Sequence, residues 1–347
     1  MRLSLATYRL LFKHPFGTAH GLRNGTDSVF VRLCDNGHEG YGEATLPPYL
    51  NETQAHVFQE LKGMDLVRQI DALRTGKDVS NETLSPPTRA ALSTAYYDLI
   101  SRQQGVSVST LLTRGVGTGS PQGRAMVTLG HSSPHEIPAK LKELPRSAIL
   151  KVKLGSDHDL ETLGVVLGAD ERPLFLDANQ GWMNVAQAMA AIGVVGGARL
   201  VGLEQPFAKD RLDLHKELRD EGAGALFADE SVQDMADLER SVEAFTGVNV
   251  KLMKCGGLDR AFAMINRARE LGMAVMLGSM SESSLGCGAM AQLAGSADLL
   301  DLDGPWLIAN DPFMGLGMTE DGLTVEEPFG VGIRPSDKVL DWINVGA

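Results

Sequence analysis

The sequence predicts an α/β chain: a (β/α)-barrel beside a smaller N-terminal α+β domain. Three observations carry this. The first part of the chain alternates apolar and polar residues as an antiparallel sheet does. From about Arg124, short apolar runs alternate with helical patterns. The polar residues closing those runs recur every 22 to 28 positions, about the length of one strand, one helix and two short loops.

The chain has 347 residues, too many for one ordinary domain, and 43% of them are hydrophobic, enough for a large core. The formal charge of −12 comes without a basic stripe, which argues against a nucleic-acid partner. Cys34, Cys255 and Cys287 are too far apart for a disulfide framework or a zinc motif, so a reducing, cytoplasmic setting is expected. The start, MRLSLATYRLLFKHPF, reads as a strand rather than a signal peptide. No apolar run reaches the roughly 18 residues of a membrane helix, so no membrane partner is expected.

In order, Met1–Phe12 is strand-like, and Ser28–Leu33 runs through an Asn36-Gly37 hairpin signal into Glu39–Glu43. Helical patterns cover Asn51–Lys62, with Asn51 as the expected cap, and Pro87–Gln103. The stretches Pro15–Thr26 and Leu46–Thr53 read as polar loops able to fold over a barrel mouth, with His20, Arg23 and Tyr49 as their notable side chains. The glycine-rich Gly115–Gly123 marks a domain boundary.

Eight strand candidates follow: Ala125–Leu129, Ser147–Leu154, Leu174–Asp177, Leu200–Glu204, Ala225–Asp229, Val248–Met253, Ala274–Leu277 and Leu299–Asp303. Helical segments such as Val185–Val194, Arg211–Arg219 and Leu258–Glu270 lie between them. This is the pattern of a TIM-like, modified barrel, whose active site gathers at the C-terminal ends of its strands. The tail Met318–Ile333 reads as strand and turn and is expected to complete the first domain. The expected limits are 1–117 for the capping domain, 118–317 for the barrel and 318–347 for the returning tail.

Asp177, Glu204 and Asp229 end three successive strands, each after an apolar run. Converging buried carboxylates repel one another unless a cation lies between them. Oxygen-only ligands favour a hard ion, Mg²⁺, with Mn²⁺ as a substitute. Taken singly, each acid is as easily a helix cap or a lysine partner. Lys151 and Lys153 share one face of their strand, and Lys251 ends another on the far side. A metal ion and a second lysine would lower a lysine pKa, which makes Lys153 and Lys251 candidate bases. Lys254 should face the other way in a continued strand, as a helper or structural residue. Glu230 is a candidate partner for Lys251. Asp301 and Asp303, on one face, could hold a substrate ammonium group, or simply cap a turn. Ser279, Met280 and Glu282 lie in a small-residue stretch that would let a ligand approach the backbone, with Glu282 orienting other groups.

In order, the Lys151-Val152-Lys153 pair, Asp177 in DANQGW, Glu204 in EQP, Asp229-Glu230-Ser231 and Lys251 resemble the muconate-lactonizing subgroup of the enolase superfamily. Tyr41–Ala44 (YGEA) and the Pro87–Gln103 helix are similar to that family's capping domain. Asp301-x-Asp303 resembles the hallmark of its dipeptide epimerases, as do NVKLMKCGG and GSMSES.

The resemblance implies an isomerase acting on a small dipeptide, by default L-Ala-D/L-Glu from peptidoglycan, with Mg²⁺ held by Asp177, Glu204 and Asp229. It implies 1,1-proton transfer between Lys153 and Lys251. Lys151 would help to neutralise the substrate carboxylate, Asn179 would support the metal shell, and Arg23 would meet the glutamate side chain. Further copies of the chain are expected as partners. o-Succinylbenzoate synthase and N-acylamino-acid racemase share the lysine pair, but their substrates bring no ammonium group for the paired aspartates. Acid-sugar dehydratases usually need a histidine in the later strands, and no predicted strand end after Glu204 carries one. A non-catalytic metal-dependent binding protein and a Schiff-base aldolase are the readings from other classes.

Overall fold

The structure is a computed structural model that describes residues 1–18, 21–77, 83–113, 123–320, 322–338 and 340–345. His20, residue 114 and residues 115–122 of the glycine-rich stretch lie outside the described residues.

The alternating N-terminal segments form strands β1 (Arg2–Thr18), β2 (Gly21–Asp35) and β3 (His38–Leu46). They are antiparallel, and Asn36 and Gly37, both at positive φ, make the β2–β3 turn. β1 and β2 run further than expected. Of the stretch expected as a loop, residues 15–18 and 21–26 instead belong to the two strands of an arm. The register shifts between Leu11 and Phe16, and pairing resumes at Phe16 opposite Arg23. That irregularity absorbs Pro15, which has no N–H to give a ladder.

Helices α1 (Gln54–Gly63), α2 (Leu66–Thr75), α3 (Pro86–Gln104) and α4 (Val108–Thr113) follow. Thr53 rather than Asn51 caps α1, accepting from the His56 amide. α3 lies directly on the sheet. A Cβ on Gly42 would strike the Ala91 carbonyl, so β3 needs glycine there.

Eight parallel strands close the barrel: β4 (Arg124–Leu129), β5 (Ile149–Lys153), β6 (Leu174–Asp177), β7 (Leu200–Glu204), β8 (Leu226–Ala228), β9 (Gly247–Lys251), β10 (Ala274–Gly278) and β11 (Leu299–Asp301). Outside them run α5 (Ile137–Glu143), α6 (Asp159–Ala169), α7 (Val185–Val195), α8 (Leu212–Asp220), α9 (Met235–Ser241), α10 (Leu252–Cys255), α11 (Leu258–Glu270), α12 (Ser284–Ala291) and α13 (Gly304–Leu307). Met126, Ile149, Phe175, Phe227, Met276 and Leu299 form a separate buried layer inside the barrel. Gly202 and Gly247 make room for the Phe175 and Phe227 rings. This plug is the floor of the mouth, because the next lumen-facing residue on each strand lies one layer higher.

The tail completes the N-terminal domain. Ile343–Val345 pairs antiparallel with β1, and Asp98 of α3, fully buried, accepts from the Tyr41 and Val331 amides and from Arg102. A second clamp joins this domain to the barrel. Arg89 grips Asp259 through two hydrogen bonds of 3.0 and 2.7 Å and donates to the Gly256 carbonyl. Among the described residues, no helix is long and apolar enough to cross a membrane.

Candidate active site

Above the apolar plug, the lumen turns ionic. Lys151 Nζ, 1% exposed, lies 2.9 Å from Asp177, 2.6 Å from Glu204 and 2.6 Å from Asp301. Lys153 Nζ also reaches Asp177, at 2.6 Å, so the two lysines share a face as alternation requires. Opposite them, Lys251 donates to Asp229 at 2.7 Å, rather than pairing with its neighbour Glu230. β9 stops at Lys251, and the helical turn α10 swings Lys254 back. Its ammonium donates to both the carbonyl and the carboxylate of Asp229. A continued strand would have pointed it away.

The loops behind these groups are tightly fixed. Trp182 donates to Asp159, which also accepts from the Gly155 and Ser156 amides, tying the loop after Asp177 to the loop after Lys153. A Cβ on Gly181 would fall 2.3 Å from the Gly155 Cα, so the two backbones touch. Gln205 accepts from the Asp229 and Ser231 amides and donates to Ser231, at the left-handed φ of 37°. Asn179 is also left-handed, and its amide donates to Asp177. Backbone strain of this kind persists where the surroundings over-determine it.

Charges in the mouth perturb one another. Burial and the Asp177 charge push Glu204 up to about 8, and burial and Asp229 push Glu230 up to about 7. Burial raises Asp177 and Asp229, but their paired lysines outweigh it and hold both below the usual carboxylate range. Burial alone would lower Lys251. Asp229 and Glu204 outweigh that and hold it well above an ordinary lysine. The lowered lysine expected from the sequence presupposes a metal ion beside it; here the lysines themselves carry the countercharge of the carboxylates.

At β11, the Thr128 amide donates to Asp303 at 2.6 Å, and its hydroxyl lies 3.5 Å from Asp301. The two aspartates therefore face one point, and burial with the Asp301 charge raises Asp303 to about 6. A cavity of about 480 Å³ opens above, between these residues, Lys153, Lys251 and the capping domain's Arg23 and Tyr49. Arg23 lies against the Phe12 and Tyr49 rings, and the Tyr49 hydroxyl reaches Met280 Sδ at 3.4 Å. Ser279 donates to the Asp301 carbonyl at 3.4 Å. Glu282 accepts from the Met280 amide and, buried beside Glu43, is pushed up to about 8. Glu43 of β3 is itself buried. It accepts from the Ser283 amide and hydroxyl and from the Gly286 amide, ending α12 from the other domain.

The chemistry of these groups fits a divalent cation. Around the strand ends, Asp177, Glu204, Asp229, Glu230, Asp301 and Asp303 face Lys151, Lys153, Lys251 and Lys254. Fully ionised, that set has two negative charges in excess. Glu204 Oε2 is an ion-pair neighbour of Lys151 but makes no hydrogen bond, and Asn179 Oδ1 and Glu230 Oε2 also lack a hydrogen-bond partner among the described residues. Among those residues no three acidic groups are drawn together at ligand spacing, because ammonium groups stand between them.

Residues 4–113 match the mandelate racemase/muconate lactonizing enzyme N-terminal domain, and residues 140–339 match the enolase C-terminal domain-like family. The chain belongs to the mandelate racemase/muconate lactonizing enzyme family. Members of it that the chain is similar to include the L-Ala-D/L-Glu epimerase of Bacteroides thetaiotaomicron, 35% identical over 96% of this chain and 88% of that one. The L-Ala-D/L-Glu epimerase of Bacillus subtilis, solved as a substrate-liganded complex, superposes with a TM-score of 0.84 at 26% identity, over 96% and 98% of the two chains. A dipeptide epimerase of Enterococcus faecalis, solved with Mg and L-Leu-L-Tyr, gives 0.84 and 26% over the same shares.

For this family member, the predicted Lys151, Lys153, Asp177, Glu204, Asp229, Lys251, Asp301 and Asp303 are all brought to one mouth. Arg23, Asn179, Ser279, Met280 and Glu230 line the same cavity, and Glu282 lies behind it. Sequence reasoning missed Thr128, Asn249 and Glu43. Asn249 donates to Glu204 at 2.6 Å and sits two residues before Lys251, so strand alternation could have found it.

Proposed function

We propose that the chain is a dipeptide epimerase that inverts the α-carbon of the second residue by 1,1-proton transfer, with L-Ala-D/L-Glu as its substrate. The observation carrying this is the placement of Lys153 and Lys251 on β5 and β9, on opposite sides of one mouth, with Asp301 and Asp303 between them at β11. The substrates named for the relatives support it.

In this reading Asp177, Glu204 and Asp229 hold Mg²⁺, with Mn²⁺ as a substitute, supported by Asn179 and Glu230. When bound, the ion supplies positive charge to the substrate carboxylate as the α-proton leaves. Lys151, already among three carboxylates, adds a fixed charge on the same side. One of Lys153 and Lys251 takes the α-proton in its neutral form. The other, protonated, returns a proton to the opposite face. Asp301 and Asp303 accept from the substrate ammonium, which also fixes the distance from that end to the reacting carbon. Arg23, stacked between two rings, meets the second residue's carboxylate side chain, and Ser279 and Met280 wall the ligand, with Glu282 orienting their loop.

Three free cysteines support a cytoplasmic location. The substrate assigned is a product of peptidoglycan breakdown, so the role is peptidoglycan recycling, and a homo-oligomer is the assembly proposed. The segments 1–117, 118–317 and 318–347 are taken as cap, barrel and returning tail.

The test is a dipeptide library incubated in D₂O with Mg²⁺ and read by mass spectrometry. Deuterium should enter the α-carbon of the second residue, and Lys153→Ala and Lys251→Ala should each abolish inversion. No deuterium in any dipeptide, or unchanged inversion in Lys153→Ala, would sink the reading. An N-acylated amino acid exchanging faster than every dipeptide would favour the acylamino-acid racemase instead.

A further inference from the structure

The three carboxylates read as metal ligands are not held alike. Lys153 and the Asn179 amide donate to Asp177, and Lys251 and Lys254 donate to Asp229. Glu204 has one more rotatable bond than an aspartate, so more freedom to lose. Yet its carboxylate accepts a single hydrogen bond among the described residues. That bond runs from Asn249 Nδ2 to Glu204 Oε1 at 2.6 Å, reaching from β9 across β8 to β7. Both residues are fully buried. The other oxygen, Oε2, makes no hydrogen bond and lies 2.6 Å from Lys151, the lysine that also meets Asp177.

We propose that Asn249 is a positioning residue: its amide fixes one oxygen of Glu204 so that the other is presented to Mg²⁺ in the mouth. The inference rests on the reading of Glu204 as a metal ligand and deepens it.

Only the nitrogen of a carboxamide can face a carboxylate oxygen at this distance, so Glu204 sets which way Asn249 points. Asn249 Oδ1 is then left buried without a hydrogen-bond partner among the described residues. Such an acceptor is costly, and a leucine of the same branched shape would not carry it. What the amide contributes here is therefore its donor end. The neighbouring strand β10 makes room for that side chain. Gly278 is not in the left-handed region, so its backbone does not call for glycine. A Cβ there would overlap both Oδ1 and Nδ2 of Asn249. The Asn249 carbonyl, in turn, accepts at 2.9 Å from Lys254, the lysine that holds Asp229. One residue thus links two of the three carboxylates, Glu204 through its side chain and Asp229 through its backbone.

The experiment titrates Mg²⁺ into substrate-free protein by calorimetry, for wild type, Asn249→Leu and Glu204→Gln. Leucine cannot donate, and the backbone bond to Lys254 does not depend on the side chain. Losing a partner that orients a metal ligand costs about 10–100-fold in metal affinity. Asn249→Leu should therefore bind Mg²⁺ about 10–100-fold more weakly than wild type, and the Mg²⁺ needed for half-maximal α-deuteration of L-Ala-L-Glu should rise by the same factor. Circular dichroism checks that the variant is folded, and a residue that only packs the barrel would leave the affinity of folded protein unchanged. Where leucine prevents folding, Asn249→Ser takes its place. Its hydroxyl is one atom short of Glu204, so the same fall is expected. Unchanged affinity in the folded variant, beside weakened affinity in Glu204→Gln, overturns the positioning role and leaves the ligand reading intact. Unchanged affinity in Glu204→Gln overturns both. Either result leaves the dipeptide reading standing, since no substrate is present in the titration.

Discussion

Replacing Asp301 with Asn tests the ammonium anchor without changing its shape. Asp301 is 6% exposed and already accepts from Lys151 at 2.6 Å. The substrate ammonium would be a second cation on the same carboxylate, in a place that water hardly reaches. Weakening one partner of a buried, hydrogen-bonded charge pair costs about 2–5 kcal/mol. Asparagine keeps one acceptor oxygen, so the lower end applies. At about 1.4 kcal/mol per tenfold, 2 kcal/mol is about 30-fold in kcat/KM. The comparison substrate is the same dipeptide with its amino group acetylated. It has no ammonium to lose, so the kcat/KM ratio of free to acetylated dipeptide should fall about 30-fold, measured by α-deuteration. A carboxylate that merely holds Lys151 in place gives a different result. Both substrates then lose equally and the ratio stays fixed, which would refute the anchoring role.

Two further outcomes follow from the packing. Arg89→Met removes a bidentate contact whose side chains are 12% and 21% exposed, so unfolding in urea should show a loss of about 2–3 kcal/mol; a loss under 0.5 kcal/mol would mean that the clamp holds nothing. His215 is fully buried, and burial lowers its pKa from 6.5 to about 4. The unfolded chain takes a proton that the native one refuses, so this contribution is intact above pH 6.5 and lost as pH falls toward 4. At about 1.4 kcal/mol per pH unit the gap is worth about 3 kcal/mol. The stability of wild type relative to His215→Gln should fall by that amount between pH 7 and pH 4 in urea titrations, and parallel pH profiles would contradict it.

The barrel and its ionic mouth were legible because each strand repeats one short instruction: an apolar run closed by a polar residue. That local pattern places Asp177, Glu204 and Asp301 without knowledge of their neighbours. The arm of β1 and β2 was not legible. Pro15, Gly17, Gly21 and Gly25 carry turn signals, and the register shift that accommodates Pro15 belongs to the paired strand, not to either sequence alone. Lys254 was misplaced because nothing in NVKLMKCGG tells a strand from the helical turn that closes it. Glu43 and Asp98 were invisible as clamps for a different reason. Their partners Ser283 and Val331 are 240 and 233 residues away, and a single carboxylate in a strand or helix has no signature for so distant a partner.

Glu43 joins the two domains. Its carboxylate belongs to the lid, yet the groups it holds at Ser283 and Gly286 include backbone amides of the barrel. An amide needs no particular side chain, yet position 286 must stay glycine, because a Cβ there would fall 2.4 Å from Glu282 Oε2 and 3.1 Å from Glu43 Oε2. Both sides of the joint are therefore constrained: an acid at 43 in one domain and a residue without a side chain at 286 in the other. A change at either position would be felt in the other domain.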